Sequence, residues 1–233
     1  MPIVATSAAG DLTLLGDAAA AYVDEGMRVG LGTGHAATAF IHALATRFRD
    51  RAARLTCVAT SEATAKLAGE LGLSVTGLAD VGELDLTVDG ADEVDPRLDL
   101  IKGLGGALVR EKIVAASSRR LVIVVGAEKL VTRLGVATPL PVEVLPFGEA
   151  LCRRRLAGLG AEPRIRMAGA APFVSDNGNH ILDCAFDGID DPVALDRAIR
   201  EIPGVMGTGL FVGMAERVLV QEGNRVEVRR RSA

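Results

Sequence analysis

The stretch MRVGLGTGHAATAFIHALATRFRDR, residues 27–51, decides the fold of this chain. It begins with the short apolar run MRVGLG, passes through a glycine-rich turn, and continues with apolar side chains at helical spacing. Phe40, Ile41, Leu44 and Phe48 share one face of that helix. A strand, a tight turn and an amphipathic helix in this order are typical of a parallel βαβ unit. We therefore expect a strand followed by a helix over residues 36–51.

The same alternation continues to residue 126. Strands are predicted at LTCVATS, LSVTGL, LDLTVDGAD and RLVIVVG, and helices over residues 62–71 and over GGALVREKIVAAS. Strands that alternate with helices favour crossover connections between parallel neighbours. The sequence thus predicts an α/β protein with a Rossmann-like, doubly wound parallel sheet.

The sequence changes character after residue 138. PLPVEVLP indicates a domain boundary and an edge strand, because its prolines cannot donate to a central ladder. A helix over residues 148–159, a strand at PRIRMA, a turn at SDNGN between strands, a helix opened by Asp191-Pro192 and a strand at GLFVGM follow. This order predicts a smaller split-βαβ, ferredoxin-like α+β domain at residues 139–210. Residues 1–138 and 211–233 then form the catalytic domain, closed by a hairpin with Gly223-Asn224 at its tip.

Composition excludes several function classes. The 26 basic and 30 acidic residues give a net charge of -4, so a nucleic-acid partner is not expected, and the basic cluster at residues 229–231 is interpreted as a solvated tail. Three cysteines without a CxxC pair indicate reduced thiols. The stretch MPIVATSAAGDLTLLGD lacks a basic n-region, and the uncharged residues 29–46 are rich in glycine and polar residues. We therefore expect a cytoplasmic protein without a signal peptide or membrane partner.

A first candidate loop, GLGTGHA at residues 30–36, lies between a predicted strand and a helix. Its glycines allow backbone amides to approach an anion at the helix N-terminus. Gly32, Gly34 and Ala37 also match the GxGxxG/A dinucleotide pattern, but that pattern needs an acidic residue about 20 positions on, at the end of the second strand. Here Glu62 lies just beyond that strand, so monophosphate binding is favoured. A tight turn alone explains the glycines, although not the Thr33 hydroxyl among them.

A second candidate loop is TVDGADEVDP, residues 87–96, at the end of an apolar strand. Ligands of open parallel sheets bind beyond the carboxyl ends of the strands, so Asp89 and Asp92 are expected at the mouth of the site. The alternative for such a stretch is a solvated turn with an Asp cap. Glu93 and Asp95 are interpreted as turn or surface residues of that kind.

The third candidate loop is KGLGGALVREK, residues 102–112. Lys102 precedes a glycine-rich turn, and Glu111 falls early in the following helix on a face of small residues, where it could face a cleft. The alternative is an exposed glutamate paired with Lys112 or Arg110, and the residues alone favour that alternative.

The histidines do not predict a metal site. His35, His42 and His180 are scattered, and no Ser-His-Asp or Cys-His arrangement is visible. Phosphate-binding amides, carboxylates and a lysine at the three loops instead fit metal-free proton transfer on a small phosphorylated, hydroxylated substrate.

Several motifs in fixed order resemble ribose-5-phosphate isomerase of type A. They are GLGTG with Thr33, VDGADE, KGLGGALVREK, Lys129 after VIVVGAE, PLPVEV and DNGN, and they extend from about residue 16 to residue 220. The resemblance implies an aldose-ketose isomerase that interconverts D-ribose 5-phosphate and D-ribulose 5-phosphate in the non-oxidative pentose phosphate pathway. It also implies that no cofactor or metal is used and that the chain forms a homodimer or homotetramer.

Site residues follow from the resemblance by position. Glu111 matches the general base that moves a proton between C2 and C1 through an enediolate, and Lys102 matches the group that stabilises oxyanion charge. Asp89 and Asp92 match a pair that holds sugar hydroxyls and assists ring opening, with the division of roles left open. The implied substrate-binding residues are Thr33, Gly34, His35, Ala36, Asp89, Gly90, Ala91, Asp92, Lys102, Gly103, Leu104, Gly105 and Lys129.

The sequence departs from the pattern of that family in three ways. His35 stands where serine is frequent, Leu104 replaces a frequent glycine, and no lysine precedes Lys66. Two rival hypotheses remain: a non-catalytic sugar-phosphate sensor of the same fold, and a nicotinamide-dependent oxidoreductase. The sensor could lose Glu111 or Lys102 without harm, and both are present.

Overall fold

A computed structural model describes residues 11–50 and 55–231. The first part of the chain alternates strands with helices. Its elements are α1 (Thr13–Ala20), β1 (Arg28–Leu31), α2 (His35–Arg47), β2 (Thr56–Ala59), α3 (Glu62–Glu70), α4 (Leu78–Val81), β3 (Leu86–Asp89), β4 (Glu93–Val94), β5 (Leu100–Ile101), α5 (Leu108–Ala116) and β6 (Leu121–Gly126).

The second part of the chain is richer in strands. Its elements are β7 (Leu140–Val144), α6 (Glu149–Gly158), β8 (Glu162–Ile165), β9 (Met167–Ala168), β10 (Ala171–Pro172), β11 (His180–Ala185), α7 (Pro192–Arg200), β12 (Val205–Thr208), β13 (Leu210–Phe211), β14 (Arg217–Glu222) and β15 (Arg225–Arg230). Single 3-10 turns lie at Ala127–Lys129 and Pro146–Gly148.

A six-stranded sheet forms the larger part of the molecule, in the order β15-β14-β6-β3-β1-β2. All neighbouring pairs are parallel except β14 with β15. β2 lies on one side of β1, and β3 lies on the other side. The strand order therefore reverses between β1 and β3. In open α/β sheets such a switch point is where ligands bind. The predicted doubly wound α/β class is confirmed.

The faces of this sheet follow from the alternation of side chains along β6. Val122 and Val124 pack into the apolar cluster that includes α1 and α2. Leu121, Ile123 and Val125 point to the opposite face, where they join residues of β4, β5 and β13. Full burial of one such side chain contributes about 1.5–3 kcal/mol. Both faces of the sheet are therefore covered, and its carboxyl edge is left for loops.

One predicted strand of the first part is wrong. LSVTGL makes only a single bridge, between Val75 and Cys57, and the chain then turns at Gly77 into α4. Strand-forming residues are not sufficient here, because the turn removes the backbone from the neighbour that would complete a ladder. The predicted end of the first long helix, at residue 51, lies outside the described residues, as do residues 1–10.

A second, antiparallel sheet has the order β12-β7-β11-β8 and packs against α6 and α7. The prediction of an edge strand at PLPVEVLP is wrong, because β7 has neighbours on both sides. Its proline is tolerated because the β12 ladder ends opposite Val142, and beyond that point Pro141 only accepts a hydrogen bond, from the Gly209 N–H at 2.7 Å.

The predicted placement of GLFVGM in this second sheet is also wrong. β12 supplies that sheet's edge, while β13 pairs with β5 in a three-stranded sheet of order β13-β5-β4. Gly209 permits the crossing, because a Cβ there would lie 2.3 Å from the Lys102 carbonyl oxygen. The chain therefore passes from one sheet to the other directly beside Lys102.

The closing hairpin is confirmed, with Gly223 and Asn224 between β14 and β15, and β14 lies beside β6. The interpretation of residues 229–231 as a solvated tail is wrong, since β15 extends to Arg230 and Arg231 pairs with Asp99 at 3.0 Å. The boundaries after residues 138 and 210 stay a prediction. No helix within residues 11–50 and 55–231 is long and apolar enough to cross a membrane.

Candidate active site

The loops after β1 and β3 meet at the carboxyl edge of the six-stranded sheet. Gly32 makes this approach possible, because a Cβ at that position would lie 2.2 Å from Asp89 Oδ1. With the space open, Asp89 Oδ1 accepts hydrogen bonds from the backbone N–H of Thr33 at 3.1 Å and of Gly90 at 2.8 Å. The glycine loop thus fixes the orientation of the buried Asp89 carboxylate.

Lys102 lies at the centre of the site, immediately after β5, with 2% of its surface exposed. Its Nζ is 3.0 Å from Asp89 Oδ2 and 3.4 Å from Glu111 Oε1, and it donates a hydrogen bond to the Gly90 carbonyl at 2.6 Å. The Phe211 ring lies on a further side, with its centroid 5.4 Å from Nζ. One buried ammonium is therefore shared by two buried carboxylates.

Glu111 occupies the first turn of α5 with 4% of its surface exposed. The alternative favoured from the residues alone, an exposed glutamate paired with a neighbour on its own helix, is wrong. Glu111 Oε2 is buried and has no hydrogen-bond partner among the described residues. This oxygen is available to a bound molecule without breaking an existing bond.

Burial sets the ionisation of this cluster. Desolvation raises the pKa of Glu111 to about 8, against the opposing attraction of Lys102. The same desolvation raises the pKa of Asp89, again opposed by Lys102. Burial alone would lower the pKa of Lys102, but the adjacent carboxylates of Asp89 and Glu111 outweigh it and raise that pKa. The lysine is therefore a permanent cation, and the carboxylate pair holds a proton into the neutral range.

Asp92 has different surroundings from Asp89. It is partly exposed, and its Oδ2 accepts a hydrogen bond from the Leu104 N–H at 3.0 Å. Leu104 and Gly105 are exposed in the second glycine loop, and a Cβ on Gly105 would lie 3.8 Å from Thr33 Cγ2. The three predicted loops thus surround one space, with Asp92 at its rim.

The hydroxyl of Thr33 belongs to a cluster of hydroxyl groups. Its Oγ1 lies 2.8 Å from Thr60 Oγ1, 2.9 Å from Ser61 Oγ and 3.0 Å from Thr64 Oγ1. The three partners, at the end of β2 and the start of α3, were not predicted as site residues. Their signal in the sequence is a run of hydroxyl side chains at the end of the strand next to β1.

The N-terminus of α2 lies beside this hydroxyl cluster. Gly34 precedes the helix with φ 106, a conformation that favours glycine, and no side chain caps the helix there. His35, the first helical residue, is exposed, and Ala36 is partly buried. The first backbone amides of α2 are therefore without a side-chain acceptor.

Lys129 stands apart from the buried cluster. It ends the 3-10 turn after β6, is partly exposed, and makes no ion pair with a described residue. His180 pairs with Glu149 at 2.9 Å, far along the chain from His35 and His42. In the part of the chain that the structure describes, no group of His, Cys, Asp or Glu is placed to hold a metal ion.

The interpretation of Glu93 as a turn or surface residue is wrong. Glu93 is fully buried, and its oxygens accept hydrogen bonds from the backbone N–H groups of Gly135 at 2.6 Å, Ala137 at 2.8 Å and Thr138 at 2.6 Å. Asp95 does lie in a turn, but it is buried and accepts from two backbone amides of that turn. Both are structural anchors outside the cluster around Lys102.

Comparison with known proteins gives a consistent result. The family model described as Ribose 5-phosphate isomerase A (phosphoriboisomerase A) matches residues 56–225. A protein named ribose-5-phosphate isomerase A from Roseiflexus sp. (strain RS-1) is 54% identical over 201 residues, covering 85% of this chain and 86% of the relative. The solved ribose 5-phosphate isomerase A of Methanocaldococcus jannaschii is 37% identical with a TM-score of 0.90, covering 94% and 98% of the two chains. A D-ribose-5-phosphate isomerase solved in complex with phospho-erythronic acid is 34% identical with a TM-score of 0.91, covering 94% and 97%.

Proposed function

The chain belongs to the ribose 5-phosphate isomerase A family, and we propose that it interconverts D-ribose 5-phosphate and D-ribulose 5-phosphate with Glu111 as the base. The observation that carries the proposal is the buried Lys102 between Asp89 and Glu111, with one Glu111 oxygen left without a partner. Isomerisation of an aldose to a ketose needs a base beside C2 and a positive charge beside the carbonyl oxygen. The cluster offers both groups.

Glu111 takes the proton from C2 of the open-chain aldose. The electron pair of that C–H bond forms the C1–C2 double bond of an enediolate, and the carbonyl oxygen O1 becomes negative. Glu111 then returns a proton to C1, while the hydroxyl proton on O2 moves to O1 and O2 becomes the ketone. A base whose pKa is about 8 can both take and return a proton near neutral pH.

Lys102 stabilises the negative charge that develops on O1. It is buried and held by Asp89 and by the Gly90 carbonyl, so it needs little reorganisation when the charge appears. The Asp89 oxygens already face Lys102 and two backbone amides, which suits Asp89 to orient the lysine. Asp92, at the exposed rim, is suited to hold sugar hydroxyls and to assist ring opening.

The N-terminus of α2 is proposed to bind the phosphate. The amides of Gly34, His35 and Ala36 have no side-chain cap and can donate to a phosphate, and the hydroxyl of Thr33 lies next to them in the chain. His35 can donate where serine is frequent in the family.

The backbone of the other two loops is proposed to line the sugar between the phosphate and the base. The residues proposed to line the sugar are Gly90, Ala91, Gly103, Leu104 and Gly105. Lys129, at the same edge of the sheet, is proposed as a further contact.

The rival hypotheses are less well supported. A non-catalytic sensor has no need of a buried carboxylate with a free oxygen beside a cation. A nicotinamide-dependent enzyme would need an acidic side chain at the end of β2. That place is occupied by Thr60 and Ser61, which contact Thr33, and no acidic side chain among the described residues is buried there. Stabilisation against heat by NAD but not by ribose 5-phosphate would favour the oxidoreductase.

We further propose a cytoplasmic homodimer or homotetramer, with a catalytic domain at residues 1–138 and 211–233 and a small domain at residues 139–210. The antiparallel sheet of β12, β7, β11 and β8, which lies within residues 139–210, supports this division.

The proposed function is tested by incubating the purified chain with ribose 5-phosphate in EDTA and following the ketose by NMR. We expect conversion that EDTA leaves unchanged, because Lys102 supplies the charge that a metal would otherwise provide. No conversion would contradict the proposed function. Conversion that EDTA abolishes and a divalent metal restores would contradict the metal-free mechanism.

A further inference from the structure

Arg166, which follows β8, reaches from the four-stranded sheet to the glycine loop after Lys102. Its Nη1 donates hydrogen bonds to the carbonyl oxygens of Gly103 at 3.0 Å and Leu104 at 2.9 Å. The side chain is 13% exposed. A single guanidinium therefore connects two consecutive carbonyls of the loop to a different sheet of the molecule.

The guanidinium is itself held in place. Asp183 on β11 accepts from Arg166 Nε at 3.0 Å and from Nη2 at 2.5 Å, a bidentate arrangement that fixes the plane of the group. Phe173 stacks near it, with its ring centroid 5.9 Å from the guanidinium carbon. The same ring lies against Gly106, where a Cβ would come within 2.5 Å of Phe173 Cζ. Asp183, Arg166 and Phe173 therefore form one connected group of side chains that contacts the loop.

Within itself the glycine loop is closed by a hydrogen bond from the Gly106 N–H to the Gly103 carbonyl at 3.0 Å. Leu104 is 39% exposed, Gly105 is exposed, and Gly103 and Gly106 adopt positive φ angles of 105 and 87. The Leu104 N–H nevertheless donates to Asp92 Oδ2, so the conformation of the loop decides where that carboxylate points.

We propose that Arg166, oriented by Asp183, is a positioning residue that holds the loop at residues 103–106 in the conformation that binds the sugar. The proposal rests on the isomerase function proposed above. Arginine suits the role because its planar fork bonds a carboxylate and two carbonyls at once, whereas a lysine ammonium cannot span all four acceptor atoms. The effect should fall on substrate binding, because Lys102 and Glu111 are fixed by contacts that do not involve Arg166.

The test compares Arg166→Met and Arg166→Lys with Arg164→Met as the matched control. Arg164 is on β8 two residues earlier, with its side chain 83% exposed. For Arg166→Met we expect the KM for ribose 5-phosphate to rise about tenfold, because the variant loses hydrogen bonds donated by a charged group. The kcat should change less than about threefold. Arg166→Lys should lie between wild type and Arg166→Met, and Arg164→Met should match wild type.

A second measurement does not depend on activity. Hydrogen exchange of the substrate-free proteins should show faster exchange at residues 103–107 in Arg166→Met, with the strands of the four-stranded sheet unchanged. If wild type proves not to be an isomerase, the function fails while this measurement still tests the role of Arg166. Kinetics and exchange in Arg166→Met equal to those of Arg164→Met would overturn the proposal. Faster exchange spread evenly over β7, β8 and β11, without an excess in the loop, would overturn it as well.

Discussion

Glu93 and Glu111 are both buried glutamates near the carboxyl edge of the sheet, and their surroundings differ completely. Glu93 accepts three backbone hydrogen bonds at 2.6–2.8 Å from the segment after β6. Glu111 has a lysine 3.4 Å from one oxygen and no hydrogen-bond partner for the other among the described residues. Both oxygens of the first carboxylate accept hydrogen bonds from the backbone, while one oxygen of the second has no hydrogen-bond partner among the described residues.

The difference teaches how burial can serve either stability or chemistry. A buried carboxylate with enough donors ties distant segments together, and removing it leaves those donors unpaired. A buried carboxylate with too few donors has a raised pKa and is a stronger base. Glu93 is therefore expected to matter for folding, and Glu111 for turnover.

The largest expected effect is on turnover in Glu111→Gln. Because the amide cannot accept the C2 proton, kcat should fall about 10²-fold to 10⁴-fold, while the variant folds normally. Steady-state kinetics with ribose 5-phosphate and circular dichroism provide the check. Glu70→Gln, an exposed glutamate on α3, is the control and should keep wild-type turnover. Near-wild-type turnover in Glu111→Gln would remove the distinction between the two glutamates.

Glu93→Gln should show the opposite pattern. Its amide nitrogen would face backbone N–H donors, so the free energy of unfolding should fall by about 2–3 kcal/mol. Urea denaturation at constant slope measures the loss, again with Glu70→Gln as control. The kcat of the folded variant should stay close to that of wild type, and a large loss of kcat at unchanged stability would refute the structural role.

The pH dependence of activity sharpens the comparison further. Glu111 acts as a base only when deprotonated, and burial raises its pKa to about 8. The kcat/KM of wild type should therefore rise about tenfold per pH unit below that value and level off above it. Profiles measured from about pH 6 to about pH 9 would show this limb. A flat profile over that range would mean that Glu111 is not the titrating base.

The smallest expected effect is on the pH dependence of stability. The pKa of Glu111 is 4.5 in the unfolded state and about 8 in the folded state, so the folded state binds the proton more tightly. The free energy of unfolding therefore falls as pH rises from about 4.5 toward about 8. Glu111→Gln lacks this loss. Its melting temperature should therefore gain on wild type by several degrees between about pH 5 and about pH 8. A constant gap across that range would argue against a raised pKa.

Local sequence patterns predicted the central part of the fold well. The alternating apolar runs gave β1, β2, β3 and β6, and the glycine-rich turns marked the loops at the edge of the sheet. The same patterns failed to predict which strands become neighbours for β7 and β13. β7 lies inside the four-stranded sheet and not at its edge, and β13 pairs with β5 and not with a strand of the four-stranded sheet. Propensity does not record which strand becomes a neighbour, since that depends on packing between distant parts of the chain.

The candidate site shows the same limit. Asp89, Lys102 and Glu111 were selected from their loops, but the burial of Glu111 could not be read from its helical phase. The interpretation of Glu93 as a turn or surface residue fails for the related reason that its three donors lie more than 40 residues later in the chain. Arg166 gave no signal of its own, because its role depends on a contact between two sheets.

The most direct test of the role of Glu111 is proton exchange in deuterium oxide. NMR would follow ribose 5-phosphate and ribulose 5-phosphate with wild type, Glu111→Gln and Glu93→Gln. We expect wild type and folded Glu93→Gln to isomerise the sugar and to introduce deuterium at C1 or C2. Glu111→Gln should do both at least about 100-fold more slowly while remaining folded. Deuterium incorporation by Glu111→Gln at the wild-type rate would contradict the assignment of Glu111 as the base.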